Sequence, residues 1–591
     1  MAAGRDLANM NSMLKRHIGL LPAITVVLVL GGLASALAGG WQDETAHQLM
    51  QRLTSPLFET LPDCDDPRFD LQQAMRRFYS HRHFEPAWVD RYGVLPEGAM
   101  ALAAIKQAGR QGLRYADYHD PLLDDLLDGI VTRPVIIGPA FQGRQVQLDL
   151  VVTGMILRYA WHRTMGRIDP AMAHSAETVA PKRSRDLAVG LAQALDDGRL
   201  AVFLERLGPR HSAYRTLQRS LTDHLRIRAA GGWPTVDGGP KLKRGDCGLR
   251  VHQLRARLAA SGDLAAAAVS RGNCFDEGLA RAVARFQHRH GLYDDGVVGV
   301  RTLAALNVPV EARVRQIQLN MERWRWLPAD LGARYLLVNI PGFEMQVIQA
   351  GQAVRIMRTI VGKKKRPTPV LSSRITYLEI NPYWHVPAKI AREDLLPKIQ
   401  ANPSYLVRQN FRVYDSWSRD ARAIDPLSVN WDVMSEEYFP VRLRQEPAGQ
   451  NALGRVKFMF PNDRSVYIHD TPSKRLFKRA SRPFSSGCVR VENPLELVSL
   501  LLDDPEWDAA RLSEAVASNE RQVVILDDPI PVHLVYLTAW VADDGRTHFG
   551  DDIYGHDQTL LSALMATDAA RSACRIAAAP PTYIGKFEKE R

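Results

Sequence analysis

The stretch "VYIHDTPSKRLFKRASRPFSSGCVRVENP", residues 466–494, decides how the second half of the chain is read. Its opening alternates: Val466 and Ile468 point to one face of a strand, Tyr467 and His469 to the other. Nineteen residues after His469 comes Cys488, inside "SSGC". The following "ENPLELVSLLL" reads as a helix start, with Asn493 as N-cap, Pro494 at the first helical position and Glu496 at the capping-box position. Cys488 is therefore expected on a tight turn just ahead of a helix. Exposed backbone N–H groups and a helix end favour a thiolate there and can receive a developing oxyanion. Gly487 lets the main chain approach a bound carbonyl. By itself Cys488 reads as a small buried hydrophobe, half of a disulfide, a metal ligand or a nucleophile. In the last case His469 takes the thiol proton and returns it to a leaving amine.

Around this stretch the pattern has period two, in "RYLLVNI", "FEMQVIQ", "VRIMRTIVG" and "RITYLEINP", so residues 331–557 are expected to form a β-rich domain. Between about 381 and 454, Pro, Trp and Tyr residues break the sheet pattern. Upstream, "EARVRQIQLNMERWRWLP" predicts one connecting helix over 309–330, its Trp324 and Trp326 serving packing and Pro328 helping to end it. Residues 241–308 carry three short helices, with Val251, Leu254 and Leu258 on one face, Leu279, Val283 and Phe286 on the next, and Leu303 and Leu306 on the third. The breaker-rich "AAGGWPTVDGGPKLKRGD" marks the linker before them. Residues 43–235 read as a mostly helical scaffold, and 558–591 as a tail. The fold class is thus multidomain α+β, which a length of 591 residues requires, since one core serves about 100–200 residues. The "HRH" at 81–83 lacks carboxylate partners at helical spacing and reads as surface.

At the N-terminus Lys15, Arg16 and His17 precede an uncharged apolar run from Ile18 to Ala38. It is long enough for a membrane anchor and has "ALA" at 36–38 as a signal cleavage site, so residues 1–40 are expected to export or anchor the chain. The basic flank places the remainder outside the cytoplasm. A net charge of +11 is spread along the chain rather than gathered into a stripe, which argues against nucleic acid and fits a solvated surface or an anionic wall. The cysteines at 64, 247, 274, 488 and 574 form no CxxC pair or Cys/His cluster, so no metal is expected. Their odd number leaves at least one unpaired. Cys247 and Cys274 fall within the three-helix unit, where a local disulfide is open to them, and Cys64 and Cys574 are the natural remainder.

Two resemblances add to this reading. "GLRVHQLRARL", "FDEGLARAVARFQHRHGL" and "DGVVGVRTLAAL" resemble the peptidoglycan-binding type 1 module. Residues 466–494 resemble the active-site segment of the L,D-transpeptidase (YkuD) catalytic domain, whose pattern is a histidine, a gap and Ser-His-Gly-Cys followed by an apolar residue and Arg or Asn. Here Ser486 stands where that second histidine usually stands. "NPYWHVP" at 381, "NALGRVKFMFPN" at 451, "HDTPSKRLF" at 469 and "DDIYGHD" at 551 resemble the larger YcbB-type members, which carry a serine there too.

The resemblance implies a β-sandwich-like catalytic domain with Cys488 as nucleophile, His469 as base, the Asp470 carbonyl as orienter of the imidazole and Gly487 in the oxyanion region. It places Arg490, Ser486, Tyr467, Trp384 and Tyr405 at the substrate, the last two lining a capping subdomain over about 381–454. The implied activity is 3→3 cross-linking of peptidoglycan stem peptides through a cysteine thioester, in the periplasm, without cofactor and open to carbapenem acylation. Stem peptides, glycan, the inner membrane through an uncleaved anchor and proteins of cell-wall synthesis are the implied partners. L,D-carboxypeptidase action or attachment of a wall protein by the same site, and a non-catalytic wall-binding scaffold, are the alternatives.

Overall fold

A computed structural model of the chain describes residues 30–55, 66–131, 139–173, 186–270 and 272–578. The apolar run expected to anchor or export the chain lies outside them up to Val29, as does Cys64; its remainder falls in a helix over Leu30–Thr54. Among the described residues no helix is long and apolar enough to cross a membrane.

Helix α1 (Pro139–Met165) is buried on nearly all sides, and Val152, Ile156, Leu157 and Trp161 sit in one core with Phe78, Trp88 and Leu191. A helix apolar all round must be wrapped by others, which makes α1 the axis of the helical scaffold. Buried Asp149 fastens the wrapping, accepting from the Ala87 and Trp88 N–H groups at 2.9 and 2.7 Å and from the Tyr79 hydroxyl at 2.6 Å. The last scaffold helix, α2 (Ser212–Ala229), stops at Gly231 and Gly232, both with positive φ.

Helices α3 (Leu249–Ala260), α4 (Glu277–Arg289) and α5 (Val300–Leu306) follow. Their shared core holds Val251, Leu254, Leu258, Leu279, Val283, Phe286 and Leu306, as the helical spacing predicts. Cys247 and Cys274 face each other across an antiparallel bridge, Cα atoms 4.0 Å apart, and are joined as a disulfide. Helix α6 (Val310–Trp326) packs on α2, with Trp324 and Trp326 buried as packing residues. It also ties to a distant segment: Asn320 Nδ2 donates to Thr538 Oγ1 at 2.8 Å. Of the expected tail over 558–591, residues up to 578 belong to helix α7 (His556–Ala578), whose Leu560 is buried against Ile168, Leu319 and Trp326; the rest lies outside the described residues.

The β-rich domain is built from β1 (Arg334–Asn339), β2 (Glu344–Gln349), β3 (Gln352–Gly362), β4 (Leu371–Ile380), β5 (Val456–Met459), β6 (Ile468–His469), β7 (Pro483–Ser485), β8 (Val489–Val491) and β9 (Gln522–Val535). Their order is β7-β3-β8-β6-β5-β4-β9-β1-β2. Because β3 also pairs with β2, the sheet closes on itself. This closed sheet replaces the expected sandwich: β3, with 11 residues, is long enough to hydrogen-bond β2 along one part and β8 along another.

The sheet-breaking residues form a separate unit between two paired strands. Val456 of β5 faces Ile380 of β4, and the Asn381 N–H donates to the Arg455 carbonyl at 2.8 Å, so 381–455 leave and return at one neck. The unit has its own four-stranded sheet and its own core, including Val386, Leu395, Ile399, Phe411, Val413, Trp431 and Leu443.

Candidate active site

β6 lies between β8, parallel to it, and β5, antiparallel. Ile468 pairs with Val489, and with Val466 and Val491 these side chains enter the core. The alternate residues share the other face. Across it Glu379, Lys457, His469 and Arg490 stand in register on four successive strands, β4, β5, β6 and β8. One pleat earlier Tyr467 and Cys488 stand side by side, joined by the Val489 N–H donating to the Tyr467 carbonyl at 3.1 Å. Strand register, not sequence proximity, thus places His469 and Cys488 on one face of adjoining strands, one pleat apart.

The turn carrying Cys488 is clamped from several sides. Gly487 has φ +118°, a conformation glycine adopts without strain. Ser485 Oγ donates to the Cys488 carbonyl at 2.5 Å and accepts the Gly487 N–H at 3.2 Å. Thr368 Oγ1 donates to the Gly487 carbonyl at 2.7 Å and accepts the Gly362 N–H at 2.8 Å, tying the turn to the end of β3. Ser486 Oγ accepts from Arg366 Nη1 at 2.9 Å, and the same guanidinium is ion-paired with Glu393 and Asp394 of the inserted unit. The serine in the usual histidine position is therefore one end of a tether between nucleophile turn and cap.

His469 is buried, and its Nδ1 is hydrogen-bonded to the Asp470 carbonyl. A carbonyl only accepts, so Nδ1 carries the proton and Nε2 of the neutral ring is left with a lone pair. Burial, and then the charge of Arg490, press the His469 pKa down to about 3, with Lys457 adding to this against the bond to Asp470. Asp470 is fixed in turn: its Oδ2 accepts the Arg455 N–H at 2.8 Å, and its Oδ1 is ion-paired with Lys474. Gly454, at φ +63°, makes room for that carboxylate, since a Cβ there would fall 2.3 Å from Asp470 Cγ.

Cys488 is a free, half-buried thiol. Burial pushes its pKa up; the backbone and hydroxyl of Tyr467 and the charges of Lys457 and Arg490 pull the other way and do not overcome it. At neutral pH the resting pair is thiol and neutral imidazole. Tyr467 packs edge-on to His469, ring centroids 5.6 Å apart, and Lys457 Nζ stands 4.4 Å from the Tyr467 ring centre.

Not every expected residue joins this group. Trp384 and Tyr405 have Phe411 as their ring partner, at 6.0 and 6.3 Å, and pack on the cap's own core. Aromatics between chain breakers read alike whether they line a cleft or fill a small core. Cys488 is not directly ahead of a helix either, because β8 intervenes and the helix α-turns begin only at Pro494, over Pro494–Leu502. Val489 and Val491 both bury against the sheet, which holds the chain extended. Asn493 is at the N-cap position without a side-chain bond to the helix backbone; its Nδ2 instead donates to Glu496 Oε2 at 3.4 Å, and Glu496 is also ion-paired with Arg355 Nε at 2.8 Å. The Gly487 N–H, expected in an oxyanion role, is occupied by Ser485. Sequence reasoning missed Lys457, Thr368 and Arg366. A lone lysine between core-facing Val456 and Phe458 in "GRVKFMF" was the one available signal.

Comparison with known proteins gives three family matches. Residues 333–525 match the model of the L,D-transpeptidase catalytic domain (YkuD), 73–221 that of a scaffold domain, and 248–306 that of a "Putative peptidoglycan binding domain". The chain carries a YkuD L,D-transpeptidase catalytic domain. A Haemophilus influenzae protein named "Putative L,D-transpeptidase" is 36% identical over 257 residues, 44% of this chain. The chain spans about half of that relative's length, 51%. An L,D-transpeptidase crystal structure from Xylanimonas cellulosilytica is 16% identical and covers 51% of this chain and 99% of its own, with a TM-score of 0.16, too low to carry a fold argument. The L,D-transpeptidase match encloses the cysteine turn, β6 and the inserted cap.

Proposed function

We propose that this chain is a peptidoglycan L,D-transpeptidase acting outside the cytoplasmic membrane, reached through the segment Ile18–Ala38, and that it forms 3→3 cross-links. One observation carries the reading most directly: the Asp470 carbonyl holds the proton of His469 on Nδ1, leaving Nε2 as a base on the face shared with Cys488. In the first half-reaction Nε2 takes the thiol proton while Sγ bonds to the carbonyl carbon of the third stem residue. Collapse of the tetrahedral species breaks the amide C–N bond, and the terminal D-alanine leaves with the proton from His469. In the second, the side-chain amine of another stem attacks the thioester, loses a proton to His469, and the C–S bond breaks to return the thiol. With the Gly487 N–H engaged, the Cys488 N–H is our assignment for the oxyanion donor. Arg490, on the next strand from His469 and with its Nε buried without a hydrogen-bond partner among the described residues, is assigned to a substrate carboxylate.

The test is mass spectrometry of residues 43–591 and its Cys488→Ala variant after incubation with disaccharide-tetrapeptide. A dimer lacking one D-alanine, formed only with the intact thiol, is the expected product. Tripeptide alone would replace the transpeptidase by a carboxypeptidase, and the absence of both product and carbapenem adduct would leave a wall-binding scaffold.

A further inference from the structure

The turn carrying Cys488 takes part of its support from outside the closed sheet. After β9 the chain makes a short hairpin, Ala539–Val541 paired with Thr547–Phe549, and then runs through "DDIYGHD" at 551–557 into α7. Tyr554 in this segment packs on the core of the β-rich domain, with its hydroxyl at the foot of the loop that follows β3. There it donates to the Gly362 carbonyl at 2.6 Å and accepts the Thr368 N–H at 3.2 Å. Gly362 and Thr368 are both buried and already joined, the Gly362 N–H donating to the Thr368 hydroxyl. That hydroxyl donates onward to the Gly487 carbonyl. Tyr554 thus reaches the nucleophile turn through a single residue, Thr368.

What Thr368 holds is one side of the peptide between Gly487 and Cys488. A trans peptide is planar and points its carbonyl and its N–H in opposite directions. Fixing the Gly487 carbonyl therefore aims the Cys488 N–H, the group assigned above to the oxyanion. Tyr554 is itself firmly seated. Its N–H donates to Tyr536 Oη at 2.9 Å, that hydroxyl donates to Asp552 Oδ1 at 2.8 Å, and Asp552 Oδ2 accepts the Asp557 N–H at 2.9 Å as α7 begins. Asp557 is ion-paired in turn with Arg323 of α6. The seat is built by α6 and by the segment after β9, not by the strands that carry His469 and Cys488.

We propose that Tyr554 is a positioning residue for the oxyanion side of the site: acting through Thr368, it fixes the peptide plane whose N–H receives the charge that develops on the attacked carbonyl. The inference rests on the reading of Cys488 as an acyl-transfer nucleophile. It separates two reactions of the same sulfur. Attack on a carbonyl needs the aimed N–H and depends on Tyr554; displacement of iodide from iodoacetamide forms no oxyanion and does not.

The experiment uses the full chain and its Tyr554→Phe, Thr368→Val and doubly substituted variants, at a temperature where thermal unfolding shows all of them folded. Three quantities are followed: acylation of Cys488 by a carbapenem, read by intact mass; alkylation by iodoacetamide across pH; and hydrogen–deuterium exchange of the peptide over 484–491. Tyr554→Phe should slow acylation at least about tenfold, leave the alkylation rate and its pH profile within about twofold, and speed exchange over 484–491. The double variant should fall within about twofold of Thr368→Val alone, because the influence of the tyrosine passes through that hydroxyl. Acylation within about twofold of the unsubstituted rate in Tyr554→Phe overturns the proposal. So does an equal fall in alkylation, which would place the effect on the thiol itself, and so do slowdowns that multiply in the double variant, which would rule out the route through Thr368. If the unsubstituted chain is not acylated, the acyl-transfer reading falls, and exchange alone decides the positioning: unchanged exchange in Tyr554→Phe overturns it.

Discussion

The three-helix module and the face around Cys488 differ in how far their buried polar groups are partnered. In the module, Gln287 is buried and fully engaged: Nε2 donates to Asp295 at 3.0 Å, the Val297 carbonyl at 2.9 Å and Thr302 at 3.1 Å, and Oε1 accepts the Gly296 N–H at 2.8 Å. Arg289 and Arg255 are each ion-paired with a carboxylate, Asp263 and Asp276, and the two cysteines are joined to each other. On the catalytic face the cysteine is free, and among the described residues Lys457 Nζ has Glu379 only at 3.9 Å and Arg490 Nε has no hydrogen-bond partner. The division is one of degree, since Arg255 Nε and Arg257 Nη1 in the module are also buried without a partner among the described residues; what sets the catalytic face apart is a free thiol beside a cation that only a distant carboxylate offsets. The molecule therefore separates stability from chemistry, and substitutions in the two regions should fall into separate classes.

The sharpest contrast is between the cysteines. Cys488→Ala should abolish acyl-enzyme formation, read by intact mass, and leave thermal unfolding unchanged. Replacing Cys247 and Cys274 by serine should do the reverse. The bridge spans 27 residues, and opening it should cost the module about 3–4 kcal/mol on a loop-entropy basis while the acylation rate stays within about twofold. Loss of acylation in the serine pair would mean that the module's integrity feeds the active site.

Next in size is Gln287→Leu, which strands the Gly296 N–H and removes a donor from Thr302, while Asp295 Oδ1 and the Val297 carbonyl keep the Val297 and Gly299 N–H groups; it should destabilise the module by about 1–3 kcal/mol, measured by denaturant unfolding or proteolysis of residues 241–308 within the full chain. Lys457→Met, which strands nothing, should change stability by less than about 1 kcal/mol in either direction. Equal destabilisation by both would break the comparison, since Lys457 would then be a structural ion-pair partner of Glu379.

How far this division could be read from sequence depends on the range of each interaction. The face of Tyr467 and His469 follows from period two, and the module core from helical spacing; both are local rules, and the fold class was legible from them. The Cys488 turn was legible from its text, but not the strand after it, because three residues, Val489-Arg490-Val491, are too short for a pattern. Partnership across strands was not legible at all. Lys457 pairs with His469 only through the β5–β6 register, and Arg366 meets Ser486 across 120 residues. A lone lysine in an apolar strand reads as solvent-facing until the sheet is closed around it.

A smaller effect tests the state of the catalytic pair. Burial raises the Cys488 pKa and lowers that of His469 to about 3, so the thiolate fraction should grow with pH through a midpoint above the ordinary cysteine value of about 8.5. Alkylation by iodoacetamide, followed by mass, should rise across pH 7–9 without a plateau. A plateau beginning below about pH 7 would reveal a thiolate–imidazolium pair, and the face would then be internally matched like the module. Replacing Lys457 or Arg490 by methionine should move the midpoint up by at most about one unit, since each is one of several groups acting on the sulfur.

The smallest expected effect belongs to Ser486, which lies between the two classes. Its hydroxyl accepts one hydrogen bond from Arg366, and Arg366 keeps Glu393 and Asp394 when that bond is lost. Ser486→Ala therefore removes a contact worth about 1 kcal/mol and should slow acylation no more than about fivefold, because Ser485 and Thr368 still clamp the turn. Arg366→Met leaves, among the described residues, only the Lys363–Asp394 ion pair, at 3.6 Å, between the turn's surroundings and the cap and should cost more, in KM rather than in the alkylation rate of Cys488, if the cap serves substrate binding. A hundredfold loss in Ser486→Ala would contradict this, since only a residue touching the reacting atoms accounts for it. Rates near the unsubstituted value would place Ser486 with the module's residues, as a group whose partner is inside the fold, even though it stands two residues from the nucleophile.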